Sequence, residues 1–162
     1  MARRLPIFCI PFWVMMVLFM TGVAIAGERF ADNGDGTITD HSRRLMWANA
    51  DNQGDVDWKQ AERWIRFTFP DTIEARYNDW RMPTLAELQS LYLQDPHYDG
   101  YETDCGQVVR MAPLIRLSCG WVWAAETQAI TAAVFNFQRG IHYTDRMVHY
   151  RGHRALAVRT IP

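Results

Sequence analysis

Cysteine is scarce in this chain. There are three in 162 residues, and one of them, Cys9, lies in an apolar N-terminal stretch. The other two, Cys105 and Cys119, have neither CxxC spacing nor an adjacent histidine, which argues against a redox or copper-binding pair. Several catalytic signatures are also missing: the Gly-x-Ser-x-Gly elbow, a phosphate-cradling glycine loop and a metalloprotease helix motif. No catalytic residue is therefore assigned from motifs, although a Ser-His-Asp constellation assembles in space and leaves no spacing to read. Beyond residue 26 there is no internal repeat and no low-complexity tract. A strong excess of one charge is lacking too: 17 Lys and Arg stand against 18 Asp and Glu. That balance argues against general nucleic-acid binding.

The one long apolar run is at the N-terminus. Arg3 and Arg4 precede an uncharged, mostly apolar stretch from Leu5 to Ala26, and Ala24-Ile25-Ala26 puts small residues where a signal peptidase reads. Residues 1–26 read as a signal peptide cleaved before Gly27, leaving 27–162 as a single domain of ordinary size. A retained anchor is the alternative, because 22 apolar residues can span a bilayer. Bulky Phe8 before Cys9 argues against a lipid-anchor cysteine. The implied address is secreted or periplasmic, with the membrane involved only through an uncleaved leader. In such a compartment Cys105 and Cys119 are expected to form one disulfide. Charge is unevenly placed: residues 27–79 hold 11 acids and 7 bases, whereas 121–162 hold 2 acids and 5 arginines.

Short strands are expected in "ERFA" and "GTITD", with Phe30, Ile38, Leu45 and Trp47 pointing inward. "DVDWKQAERWIRF" places Trp58, Ala61, Trp64 and Ile65 on one helical stripe, opened by an Asp57–Gln60 capping box and followed by Pro70. A second helix starts at "PTLAELQSLYL", capped by Thr84 with Glu87 returning the bond, and buries Leu85, Leu88, Leu91 and Tyr92. Residues 95–120 read as a long irregular loop. Strands follow in "WVWAAE", "AAVFNF", "IHYTD" and "RALAVRT". Strands, two helices, a long loop and antiparallel strands make the fold class α+β.

The stretch "DNGDG" poses a question of chemistry. With Gly36 as position 6 of a calcium loop, Asn33 and Asp35 occupy ligand positions, but position 1 is Ala31 and position 12 is Ser42. A hairpin turn fits better, since Asn33-Gly34 and Asp35-Gly36 suit positive φ. Asn33 and Asp35 stay as weak calcium-ligand candidates. His149 and His153 have i, i+4 spacing, yet Gly152 and strand-like flanks speak against a zinc helix, so His142, His149 and His153 read as loop-surface residues. Arg139, Arg146, Arg151 and Arg154 could form an anion-binding face. Trp58, Trp64, Trp80, Trp121 and Trp123 could stack on sugars, though a domain this size needs most of its indoles in the core.

Taken together, "RFADNGDGTITDHSRRLMW", the Trp-bearing helix "WKQAERW", "DWRMPTLAELQSLY", "CGWVWAAETQAITAAVFNFQRG" and "RALAVR" resemble the Lcl C-terminal domain family. The resemblance covers nearly all of residues 29–160 and implies a C-type-lectin-like fold related to that of formylglycine-generating enzymes, in exported bacterial proteins. It carries no agreed catalytic residues; some members are adhesin tips that bind glycosaminoglycans. It also implies that Asp79-Trp80-Arg81 locks the second helix onto the sheet. Two departures stand out. Arg43-Arg44 occupies the usual Thr-Gly, suggesting a different turn, and Ala124-Ala125 lies where a Ser is common. The expectation is an exported, non-catalytic binding module for acidic glycans or a partner protein, using loop 95–120 and the basic C-terminal third. The alternatives are an enzyme of the formylglycine-generating type using Cys105 and Cys119, and a structural subunit of an envelope assembly.

Overall fold

The computed structural model describes residues 28–162, so the leader-peptide expectation for residues 1–26 lies outside it. Strands β1 (Phe30–Asp32) and β2 (Thr37–Asp40) pair antiparallel around the "DNGDG" turn. Gly34 and Gly36 take φ of 73° and 91°, where glycine is unstrained. A Cβ at Gly36 would also strike Ile73. β3 (Leu45–Ala48) and β10 (Val158–Thr160) complete a four-stranded sheet of order β1-β2-β3-β10. The expected inward residues Phe30, Ile38, Leu45 and Trp47 are all buried.

Arg43-Arg44, the departure from the usual Thr-Gly, lies in the turn into β3. Arg44 adopts φ 54°, a left-handed conformation that glycine takes freely and that costs an L side chain roughly 1–2 kcal/mol. The larger residue bears the strain of a turn suited to glycine.

Helix α1 (Trp58–Arg63) opens with the expected capping box: Gln60 N–H donates to Asp57 Oδ1 at 2.8 Å, and Asp57 N–H to Gln60 Oε1 at 3.0 Å. The stripe then continues through a π-helical turn, Trp64–Thr68, and a 3₁₀ turn, Phe69–Asp71. This leaves Ala61, Ile65 and Phe69 buried and Phe67 exposed. Helix α2 (Leu85–Leu91) has the second box, between Thr84 and Glu87. Leu88 and Leu91 are fully buried, while Leu85 and Tyr92 pack on the core half-exposed. Arg81 grips Glu87 with both guanidinium nitrogens, at 2.8 and 2.7 Å, and pairs through its backbone with Val158. Asp79 takes the Arg159 fork. The Asp-Trp-Arg segment therefore ties α2 to β10.

The loop from 95 to 120 is not wholly irregular. It contains a two-stranded hairpin, β4 (Tyr101–Glu102) with β5 (Val108–Val109). Cys105 and Cys119 are disulfide-bonded, with Cα atoms 5.3 Å apart, so the hairpin tip is fastened to the approach to β6. β6 (Trp121–Gln128), β7 (Thr131–Asn136) and β8 (Ile141–Arg146) form an antiparallel meander. The expected single strand "RALAVRT" is instead two strands. β9 (His153–Arg154) pairs parallel with β6, then the chain crosses to the other sheet as β10. The architecture is mixed α+β: two helices, two four-stranded sheets and a small hairpin sheet. Among the described residues no helix is long and apolar enough to cross a membrane.

Candidate functional site

The second sheet has order β8-β7-β6-β9, which leaves β8 as an edge strand. Register aligns Trp123 with Val134 and Tyr143, and Trp121 with His153. Side chains alternate across a pleated sheet, so Trp121, Trp123, Tyr143, Asp145 and His153 share one face. Trp123 is buried by loop 52–57 and donates its indole N–H to the Val56 carbonyl at 2.9 Å. His153 stacks on that indole with centroids 4.5 Å apart, and Tyr143 meets Trp121 edge-on at 4.9 Å.

Asp145 is the hub of this face. Its carboxylate accepts from the Arg146 N–H at 2.7 Å and from the Tyr143 hydroxyl at 3.1 Å. His149 Nδ1 lies 2.5 Å from it, and His153 Nε2 lies 3.3 Å away. Burial works against ionising Asp145, but the Arg146 N–H, His149 and Tyr143 outweigh it and hold its carboxyl below the usual range. Burial and the Asp145 charge push the Tyr143 hydroxyl up to about 12. Beside this cluster opens a cavity of about 350 Å³ lined by Asp145, Val148, His149, Tyr150, Arg151 and His153. Val148 and Tyr150 are exposed apolar side chains. Among the described residues no three His, Cys, Asp or Glu side chains are arranged to hold a metal ion.

The histidine expectation therefore needs correcting at one position. His142 and His149 are exposed, but His153 is 5% exposed, because β9 carries it onto the tryptophan face. Burial lowers its pKa, the Asp145 and Asp55 charges opposing. The folded chain thus keeps this imidazole neutral to lower pH than the unfolded chain, whose histidine titrates near about 6.5. The stability this confers is complete above that pH and is lost as pH falls below it. Asp51, whose carboxyl burial raises, pulls the other way in acid. The clean measurement is a difference: between about pH 7.5 and about pH 5.5 the wild type should lose more stability to urea than His153→Gln.

The four arginines do not stay together. Arg139 lies in the β7–β8 turn, Arg146 ends β8 and Arg151 lines the cavity; all three are exposed. None of them forms an ion pair among the described residues. Arg154, by contrast, is 7% exposed and not part of any surface. It donates to Asp55 Oδ1 and to Ser118 Oγ, both at 2.6 Å, and lies 3.9 Å from Asp51. Asp51 in turn accepts from the Ser118 N–H at 2.7 Å and the Gln53 N–H at 2.8 Å. This buried network joins loop 49–57, the strand approach at 118 and β9. Only its long-range closure shows that Arg154 is internal.

The calcium candidates are also committed within their own turn. Asp35 Oδ1 accepts from the Thr37 N–H and hydroxyl, and Asn33 exchanges bonds with Thr37 and Thr39. The cysteines that an enzyme of the formylglycine-generating type would use are bonded to each other. Of the tryptophans, Trp47, Trp80 and Trp123 are buried, while Trp58, Trp64 and Trp121 remain partly exposed.

The family model of the Lcl C-terminal domain matches residues 36–159. The chain belongs to that family. No curated protein matches it.

Proposed function

We propose that this domain is an exported recognition module whose β8 face takes an extended acidic ligand, a sulfated or carboxylated glycan. The observation that carries this reading is a set of three exposed arginines without acidic partners, Arg139, Arg146 and Arg151, flanking an edge strand. The one acid on that strand, Asp145, is occupied by Tyr143, His149, His153 and the Arg146 N–H. Six residues of strand put the two ends of β8 about 17 Å apart. That span suits a linear polyanion better than a small anion. Trp121 and Tyr143, partly exposed on the sheet face opposite the Arg146 side chain, add aromatic surface beside the strand. A partner protein of the cell envelope is the alternative occupant. Export is supported by the leader pattern and by the disulfide, which persists in oxidising compartments. The finer fold description, C-type-lectin-like and related to formylglycine-generating enzymes, rests on family membership and on two small sheets flanked by two helices.

Binding to a sulfated glycan such as heparin should weaken as ionic strength rises, because the contacts are solvent-exposed charges. Single changes Arg139→Ala, Arg146→Ala and Arg151→Ala should each cost about 0.3–1 kcal/mol of affinity. The triple variant should lose about 1–3 kcal/mol, roughly five-fold or more in affinity, with its thermal midpoint unchanged. Wild-type affinity in the triple variant refutes the proposal, and capture of an envelope protein in place of the glycan shifts it to the alternative occupant.

A further inference from the structure

A second concavity, lined by residues 49–53 and the 64–73 segment, shares no lining residue with the cavity beside Asp145. It is a cleft of about 400 Å³, within the range of small-molecule sites (roughly 300–1,000 Å³). Trp64, Phe69 and Ile73 are its apolar lining, and Asn49, Asn52 and Gln53 line it with carboxamide-bearing side chains. Asn52 is fully engaged in holding the loop: its Nδ2 donates to the Gly54 carbonyl and its Oδ1 accepts from the Ala155 N–H, both at 2.7 Å. Asn49 and Gln53 are different. Both are exposed. Neither side-chain amide appears in any hydrogen bond among the described residues, and nor does the half-buried indole N–H of Trp64.

Gln53 is also one of four non-glycine residues with positive φ among the described residues. Its backbone has φ 56°, the left-handed region, which Gly and Asn adopt readily and glutamine does not. Its N–H is spent on Asp51 Oδ1, so the loop needs this conformation but does not need this side chain. Gln53 also borders a second cavity of about 250 Å³, lined by Tyr101, Thr103 and Arg116, and so stands between two openings. Backbone conformations of this kind cluster at active sites and ligand clamps, held there by the surrounding structure.

The chemistry of the 400 Å³ cleft is specific. No cation lines it, and its one carboxylate, Asp51, is buried and bonded to Ser118 and Gln53, so a charged ligand would find no counter-charge. Two free carboxamides, each with a donor and an acceptor side by side, match adjacent hydroxyls, which also donate and accept. An indole-bearing apolar lining in the same cleft suits the C–H face of a pyranose ring. We propose that the cleft between Gln53 and Trp64 is a binding site for an uncharged sugar residue.

The test is a titration of ¹⁵N-labelled protein with cellotriose and with tri-N-acetylchitotriose at millimolar sugar, the regime of a single-ring contact. Saturable shifts are expected at the Asn49 and Gln53 side-chain amides and at Trp64 Nε1–H. Gln53→Gly should weaken binding at least tenfold while the thermal midpoint holds or rises, since glycine relieves the left-handed backbone. Asn49→Ala, an exposed change, should weaken it several-fold. Saturable shifts that persist in the triple arginine variant keep this site separate from the acidic-ligand face, whichever way the latter's own test falls. Absence of saturable shifts with both sugars, shifts confined to residues elsewhere, or undiminished binding by Gln53→Gly would overturn the proposal.

Discussion

Arg154→Ala should lower folding stability by about 3–5 kcal/mol, the loss typical of removing one partner from a buried ion pair. The Arg154 side chain is 8% exposed and that of Asp51 is 0% exposed, so removal of the guanidinium leaves a buried carboxylate without its ion-pair partner. The Ser118 hydroxyl loses its Arg154 donor at the same time. Asp51 already has its pKa raised by burial, against bonds from Ser118 and Gln53 and the Arg154 charge. Without that charge its folded pKa rises further above the unfolded value. The sign follows: the penalty is largest where Asp51 must ionise and shrinks as pH falls toward the unfolded carboxylate range. Urea midpoints at about pH 7 and about pH 5 should therefore converge for Arg154→Ala relative to wild type. Adding Asp51→Asn should recover part of the loss at neutral pH and remove most of the convergence, the coupling expected of groups in one network. A loss below about 1 kcal/mol, the level of a solvent-exposed pair, would show that the network does not hold the loop. Glycan binding normalised to folded protein should be unaffected, in contrast to Arg151→Ala.

The contrast between Arg151 and Arg154 shows what the sequence could and could not convey. Three residues apart and chemically identical, they look alike in a basic C-terminal third. One is solvent-exposed, and the other is internal because Asp51 and Asp55 lie about a hundred positions earlier in the chain. Features written within four residues were legible: both capping boxes and the glycine turn of "DNGDG" depend on neighbours alone. The core positions of β1 to β3 were legible because alternation is itself a burial signal. Non-local partners were not. "RALAVRT" alternates like one strand, yet Ala155 to Ala157 carries the chain from β6 to β3. His153 gave no sign of burial, since the indole it stacks on is thirty positions away. Hairpin β4–β5 has two-residue strands, too short for any period to show. The π turn keeps the same stripe as an α-helix and so was indistinguishable from one. The Asn49–Gln53 cleft left no trace, because carboxamides in a loop have no diagnostic spacing.

Changing both Cys105 and Cys119 to Ser should cost about 3 kcal/mol, and almost all of it should arise in the unfolded chain. The bond closes a loop with a sequence separation of 14. In the folded state the hairpin it fastens has other attachments: Cys105 N–H donates to the Ser118 carbonyl at 3.1 Å, and Gln107 Oε1 accepts from the Gly120 N–H at 3.2 Å. The Tyr101 hydroxyl adds another, accepting from the Leu117 N–H at 2.7 Å. The double variant should therefore fold with hairpin contacts intact while its urea midpoint drops. Because the folded sheet is retained, its unfolding rate should change less than its folding equilibrium, the mark of an effect on the unfolded ensemble. The position of the bond adds a second consequence. Cys119 follows Ser118, the residue that joins Asp51 to Arg154, so a tether on one side and an ion pair on the other fix the same short segment. If independent, the losses from Arg154→Ala and from the double serine change should add to about 6–8 kcal/mol, a large share of the about 5–15 kcal/mol typical of a domain of this size. If the segment is one cooperative unit, the combined variant will lose less than the sum. Strict additivity would mean that the disulfide and the buried network stabilise separate parts of the fold.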